Sequence, residues 1–156
     1  MRWGSAVRRL AARLREDEGS AVVEFIGVTV VLLIPLVYLV LTLGRVQAAM
    51  FAAEAAARES GRIISQAEDL EAAAGRARSA VELAFADQGI VVDANDVLRL
   101  TCDEDPCLSR GARIHVQVDA AVRLPLVPDF LAGTMPMEVP VRAEHLAVVP
   151  EFGVAP

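Results

Sequence analysis

Lysine is absent from this chain of 156 residues; all 15 basic residues are arginine, a compositional bias from which no function follows. Aromatic residues make up only 4 % of it, so a soluble core has to be assembled from Val, Leu, Ile and Ala. Two histidines, His115 and His145, and two cysteines, Cys102 and Cys107, are present, and nothing in their spacing resembles a zinc signature. The acidic stretch Asp103-Glu104-Asp105 has no loop motif to hold a calcium ion. The chain also lacks a phosphate-binding glycine loop, a nucleophile elbow, and a histidine beside a serine or cysteine nucleophile. Asp103 and Asp105 are paired carboxylates in a turn without histidine or aromatic company, where solvation accounts for them. These absences set the expectation of a non-enzymatic protein with no cofactor, no metal and no small-molecule substrate. The net charge of −6 is made after residue 44, where no basic stripe exists, which argues against a nucleic-acid partner.

What the chain does have is apolar length. The apolar fraction of 54 % exceeds that of a typical soluble domain. From Ser20 to Gly44 the single charged side chain is Glu24. At about 1.5 Å per residue such a helix crosses the ~30 Å hydrocarbon core of a bilayer. Pro35, near its middle, removes one backbone hydrogen bond and is expected to kink it.

Residues 1–19 precede this span, with Arg2, Arg8, Arg9, Arg13 and Arg15 followed by Glu16-Asp17-Glu18. Arginines within about 20 residues of a span hold that end in the cytoplasm. Val7, Leu10, Ala11 and Leu14 share one helical face, so the leader also reads as a basic amphipathic helix on the inner leaflet. A secretory signal peptide cut near Val46-Gln47-Ala48 is the alternative, but the apolar region outruns the usual ~7–15 residues.

The helical pattern continues past Arg45. Residues 47–62 are rich in alanine, with Glu54 and Arg58 spaced as an i,i+4 pair. One long helix from about Ser20 to about Ile64 is expected, its first half in lipid and its second half emergent. The alanines of that second half either pack on the chain's own sheet or meet related helices in a filament. A second helix is expected from Ala67 to about Asp87, with Leu70, Ala73, Ala74, Ala77, Val81 and Ala84 on one face and Gln88-Gly89 at its end.

Beyond it the apolar period changes to two. Strands are expected at Asp96–Thr101, Arg113–Leu124 and Met137–Val149, and one-sided alternation makes them an antiparallel sheet covered on one face by the helices. Pro140 places the last strand at an edge or at a bulge. The fold class is therefore α+β: a long N-terminal helix, transmembrane then emergent, plus a second helix packed on a small antiparallel sheet. Leu126, Val127, Phe130 and Leu131 lie in an apolar loop that either folds back or offers a partner contact. Residues 150–156 read as a disordered tail. Cys102 and Cys107 can pair in a domain outside the cytoplasm; two free thiols are the alternative.

The Arg-rich leader, Gly19, four small or apolar residues, Glu24-Phe25 and a long helix together resemble the processing site of type IV prepilins. More narrowly, Glu-Gly-Ser-Ala-Val-Val-Glu-Phe, the span, the Arg-flanked alanine-rich helix and strands bracketing a Pro-Leu-x-x-Pro loop resemble the TadE-like pseudopilins, minor pilin-like proteins of the tight-adherence (Flp-type) pilus apparatus. The resemblance covers about residues 13–65 well and the later strands loosely. It implies a prepilin peptidase that cuts after Gly19 and leaves Ser20 as the N-terminus, with Glu24 the fifth residue after the cut. It also implies partners among other pilin or pseudopilin subunits, residues 45–149 as an extracytoplasmic pilin-like domain, and a single-pass protein of the cytoplasmic membrane. The rival expectation is an uncleaved, membrane-tethered binding or scaffold module of the envelope.

Overall fold

The computed structural model describes the backbone of residues 3–125 and 138–151, and side chains among these from residue 21 onward. Its fold is α+β, with a long helix, a second helix, one helical turn and a three-stranded antiparallel sheet. Two units are distinguishable, Met1–Leu41 and Thr42–Pro156.

The first unit is helical throughout its described residues and belongs to helix α1, which runs from Trp3 to Ser65 and so contributes to both units. The helix begins well before Ser20, because the leader shares the helical pattern. It also continues through Pro35, whose missing N–H removes one bond of the ladder without ending it.

In the second unit α1 ends at Ser65, and the Ala67 amide donates to the Ile64 carbonyl at 3.1 Å to turn the chain. Helix α2 (Leu70–Ala86) starts at Asp69, whose carboxylate accepts from the amides of Glu71 and Ala72. This side chain satisfies two of the amides that a helix start leaves without intrahelical partners. The buried stripe is Ala73, Ala77, Val81 and Phe85. Phe85 therefore belongs to the packed face, whereas Leu70 remains exposed. At the other end the Gly89 amide donates to Ala86 and the Ile90 amide to Phe85, with Gly89 at φ +63°. That is a Schellman closure, completed by burial of both Phe85 and Ile90.

The sequence pattern starts the first strand at Asp96, and here the fold differs. Asp93 caps a single helical turn, α3 (Ala94–Val97), by accepting from the Asn95 amide, so strand β1 covers Leu98–Cys102 instead. The local Asp93 cap wins the first two residues from the strand. It also turns Val97 into the core, where strand alternation would place it opposite Leu98. Strands β2 (Arg113–Arg123) and β3 (Glu138–Val148) follow the sequence pattern closely.

The sheet order is β1-β2-β3, with both pairings antiparallel. Pro140 stands opposite Ala121 in the edge strand β3, and the register runs unbroken from Arg113↔Val148 to Arg123↔Glu138, without a bulge. Ile114, Val116, Val118, Ala120 and Val122 point inward from β2, and Val141, Ala143 and Ala147 from β3. They share one core with Ala49, Ala52, Ala53, Ala56 and Ala57 of α1 and the α2 stripe. The alanine face of α1 is thus occupied by its own domain, which resolves the two readings of that stretch in favour of intramolecular packing. Small residues persist along the face at Ser60 and Gly61, both buried.

Candidate functional site

The feature that distinguishes this chain is the surface of α1 before the domain begins. From Val22 to Leu43 its large apolar side chains are exposed, Phe25 at 72 %, and the apolar window is long enough to cross a membrane while none of it is buried. Exposing so much continuous apolar area to water is unfavourable, by roughly 25 cal/mol per Å². A bilayer removes that cost and leaves every backbone hydrogen bond of the helix intact. Among the described residues, one helix is therefore long and apolar enough for a single membrane pass.

Gly19 and Ser20 lie on the backbone of α1, within the helix. Glu24 and Phe25 follow on the same helix and are exposed. None of the ion pairs among the described residues involves Glu24. Thr29, one turn on, donates its hydroxyl back to the Phe25 carbonyl at 2.8 Å, which satisfies a polar group that lipid would leave unpaired.

Where the apolar run ends, Arg45 makes two bonds that sequence spacing does not show. Its Nη1 donates to the Gln88 carbonyl at 3.0 Å and its Nη2 to the Gly89 carbonyl at 2.9 Å. The arginine closes over the carbonyl end of α2, where the helix dipole favours a cation. Two local signals hint at it, a lone arginine after the span and Gln-Gly after a helix. Their separation of more than 40 residues conceals the pairing.

The cysteines are joined. Cys102, at the end of β1, and Cys107 form a disulfide with Cα atoms 5.4 Å apart, around a loop that contains the cis peptide Asp105–Pro106. A loop this short contributes about 2 kcal/mol through restriction of the unfolded chain. Ser109 ties the loop down with its hydroxyl and amide, both donated to the Pro106 carbonyl.

Asp103 is engaged as well as solvated. It accepts from Arg113 Nε at 2.9 Å and lies 3.1 Å from His115 Nε2. The alternation of β2 puts Arg113 and His115 on the outer face of the sheet, beside the loop. His145 belongs to the opposite, inner face, because it pairs with Val116 in the register. The two histidines therefore do not meet, and among the described residues no cluster of metal-ligating side chains forms. Leu126, Val127, Phe130 and Leu131, the apolar loop singled out by the sequence, lie outside the described residues.

On the outer face, Asp119 of β2 accepts from Arg142 of β3 and from Gln117. The Arg142 hydrogen bond is the main reason its carboxyl is held below the usual aspartate range, with Gln117 helping. On α1, Arg62 lowers the Glu59 carboxyl in the same way.

Comparison of the chain with protein-family models, curated proteins and solved structures finds no match.

Proposed function

We propose that this protein is a membrane-anchored, minor pilin-like subunit that serves assembly of a Tad/Flp-type pilus or a related secretion filament. One observation carries the reading: an exposed apolar helix with a single carboxylate near its start continues into a small α+β domain. The arginines of residues 1–19 keep that end cytoplasmic and place the domain outside, a side on which the Cys102–Cys107 disulfide persists.

In this reading prepilin peptidase removes residues 1–19. The bond after Gly19 lies within α1, and a protease has to draw it out of the helix. Glycine, at about 1 kcal/mol below alanine in helix propensity, eases that opening. A carboxylate within the membrane costs up to about 2.5–3.5 kcal/mol, the value at the bilayer centre, and such groups usually have partners. Cleavage creates one, the Ser20 ammonium, four residues from Glu24 or on a neighbouring subunit. Pairing between subunits sets the axial register of the helix among similar helices. The covered alanine face leaves the lipid-facing half of α1 as the part that meets other pilins.

An uncleaved envelope-binding module shares the same span and domain but keeps residues 1–19. The mass of the protein purified from its native membranes separates the two. A chain beginning at Ser20 supports the pilin-like reading. An intact chain, with the peptidase present and active, overturns it in favour of the tethered module.

A further inference from the structure

Arg45 marks the depth at which the helix leaves the hydrocarbon. No side chain between Glu24 and Arg45 is charged. The run from Ser20 to Gly44 measures about 37 Å as a helix, longer than the ~30 Å hydrocarbon core but within the ~40–45 Å that includes the headgroup layers. Arg45 accordingly belongs to a headgroup layer when the run spans a bilayer. Its guanidinium holds the carbonyls of Gln88 and Gly89, so the turn after α2 stands within one arginine side chain of that layer.

At this turn two adjacent apolar residues are treated in opposite ways. Ile90 is 6 % exposed and part of the core, whereas Val91 is 97 % exposed. A β-branched side chain projected wholly off the domain contributes nothing to its packing. Leu43, on the last apolar turn before Arg45, is exposed too. The charges nearest in sequence to the turn are Asp87 and Asp93, and Arg45, far off in sequence, reaches it through its two hydrogen bonds, so an anionic surface is not what it suits.

The geometry points to an interaction surface here: the 87–91 turn is an interfacial foot, with Val91 seated at the headgroup–acyl boundary of the bilayer that α1 crosses. This rests on α1 being the span. The foot tethers the domain to the membrane at a second point, and Arg45 braces it against the first. Being apolar, the contact is insensitive to salt and to anionic lipid.

Tryptophan scanning of the full chain tests it. The chain has a single tryptophan, Trp3, so a Trp3→Phe background gives a clean signal for Val40→Trp, Val91→Trp and Leu70→Trp. Each variant is reconstituted in phosphatidylcholine bilayers whose acyl chains are brominated near the glycerol end or near the chain terminus. Leu70, at the start of α2, is about 24 Å along that helix from Ala86 and reports the distant end of the domain. The expected result is that shallow bromine quenches Val91→Trp emission more than deep bromine does, as for an interfacial tryptophan, and leaves Leu70→Trp unquenched. Quenching at Val40→Trp without quenching at Val91→Trp overturns the foot and leaves the span intact. Equal quenching at Val91→Trp and Leu70→Trp also overturns it, by showing a domain that lies along the surface. An unquenched Val40→Trp removes the span, and the foot with it.

Discussion

Gly61 of α1 and His145 of β3 meet so closely that a Cβ at position 61 would lie 2.8 Å from His145 Cδ2 and 3.1 Å from Ala147 Cβ. The side chains of His145 and Ala147 pack there directly on the helix backbone, with no side chain from the helix in between. Gly61→Ala improves helix propensity by about 1 kcal/mol, yet it overpacks the contact at a cost of about 1–3 kcal/mol. The expected net effect is a loss of about 1 kcal/mol in thermal unfolding of the detergent-solubilised chain. His145→Ala opens the space, so adding Gly61→Ala in that background should be neutral or stabilising. Additive effects in the double-mutant cycle would show that the two residues do not share this contact.

Arg45 is expected to anchor the end of α2. Arg45→Ala removes two charge-assisted hydrogen bonds, with a loss of about 1–3 kcal/mol. Arg45→Lys keeps the charge but not the fork that spans two carbonyls, so it should restore only part of the stability. Amide hydrogen exchange offers the local readout: Gly89 and Ile90, which close α2 onto Ala86 and Phe85, should exchange faster in Arg45→Ala than in the parent. Unchanged protection there would remove the bracing role.

Asp119 makes the domain sensitive to acid. Hydrogen bonds from Arg142 first, and also from Gln117, hold its carboxyl below the ordinary 3.8. A carboxyl depressed in the folded state contributes stability that is complete above the unfolded value. That stability is lost as pH falls through the folded value. The loss therefore begins below about pH 4, and it is small because the ion pair is largely exposed. Arg142→Gln should flatten this limb, with parent and variant converging in unfolding midpoint at the lowest pH. A constant gap between them from pH 5 to 2 would exclude the pair as its source.

Glu24→Ala separates anchoring from assembly. The remaining run is still apolar enough to cross the membrane, so the variant should be recovered in the membrane fraction at parent levels. On the proposed role, co-purification with pilin partners should be lost, because the carboxylate proposed to pair with an ammonium is gone. Undiminished co-purification would argue against the role proposed for Glu24.

Much of this protein is decided locally and is therefore legible in its sequence. A side chain's face follows from its position in a period of 3.6 or 2, so the span, α2, β2 and β3 are read directly from where apolar residues recur. Pro140 announces an edge because it lacks an N–H to donate. Glu24 stands out because a charge in an apolar run is rare. Alternation alone would start β1 at Asp96, but the Asp93 cap overrides it at Asp96 and Val97. Which surface the alanines of α1 face is not a local property; periodicity gives a stripe but not its occupant. Only the tertiary fold sets that stripe in the domain's own core, brings Gly61 under His145, and closes Arg45 over Gln88 and Gly89. It also adds Arg113 and His115 to Asp103. Each of these depends on side chains brought together from distant parts of the chain, and neither composition nor spacing records such encounters.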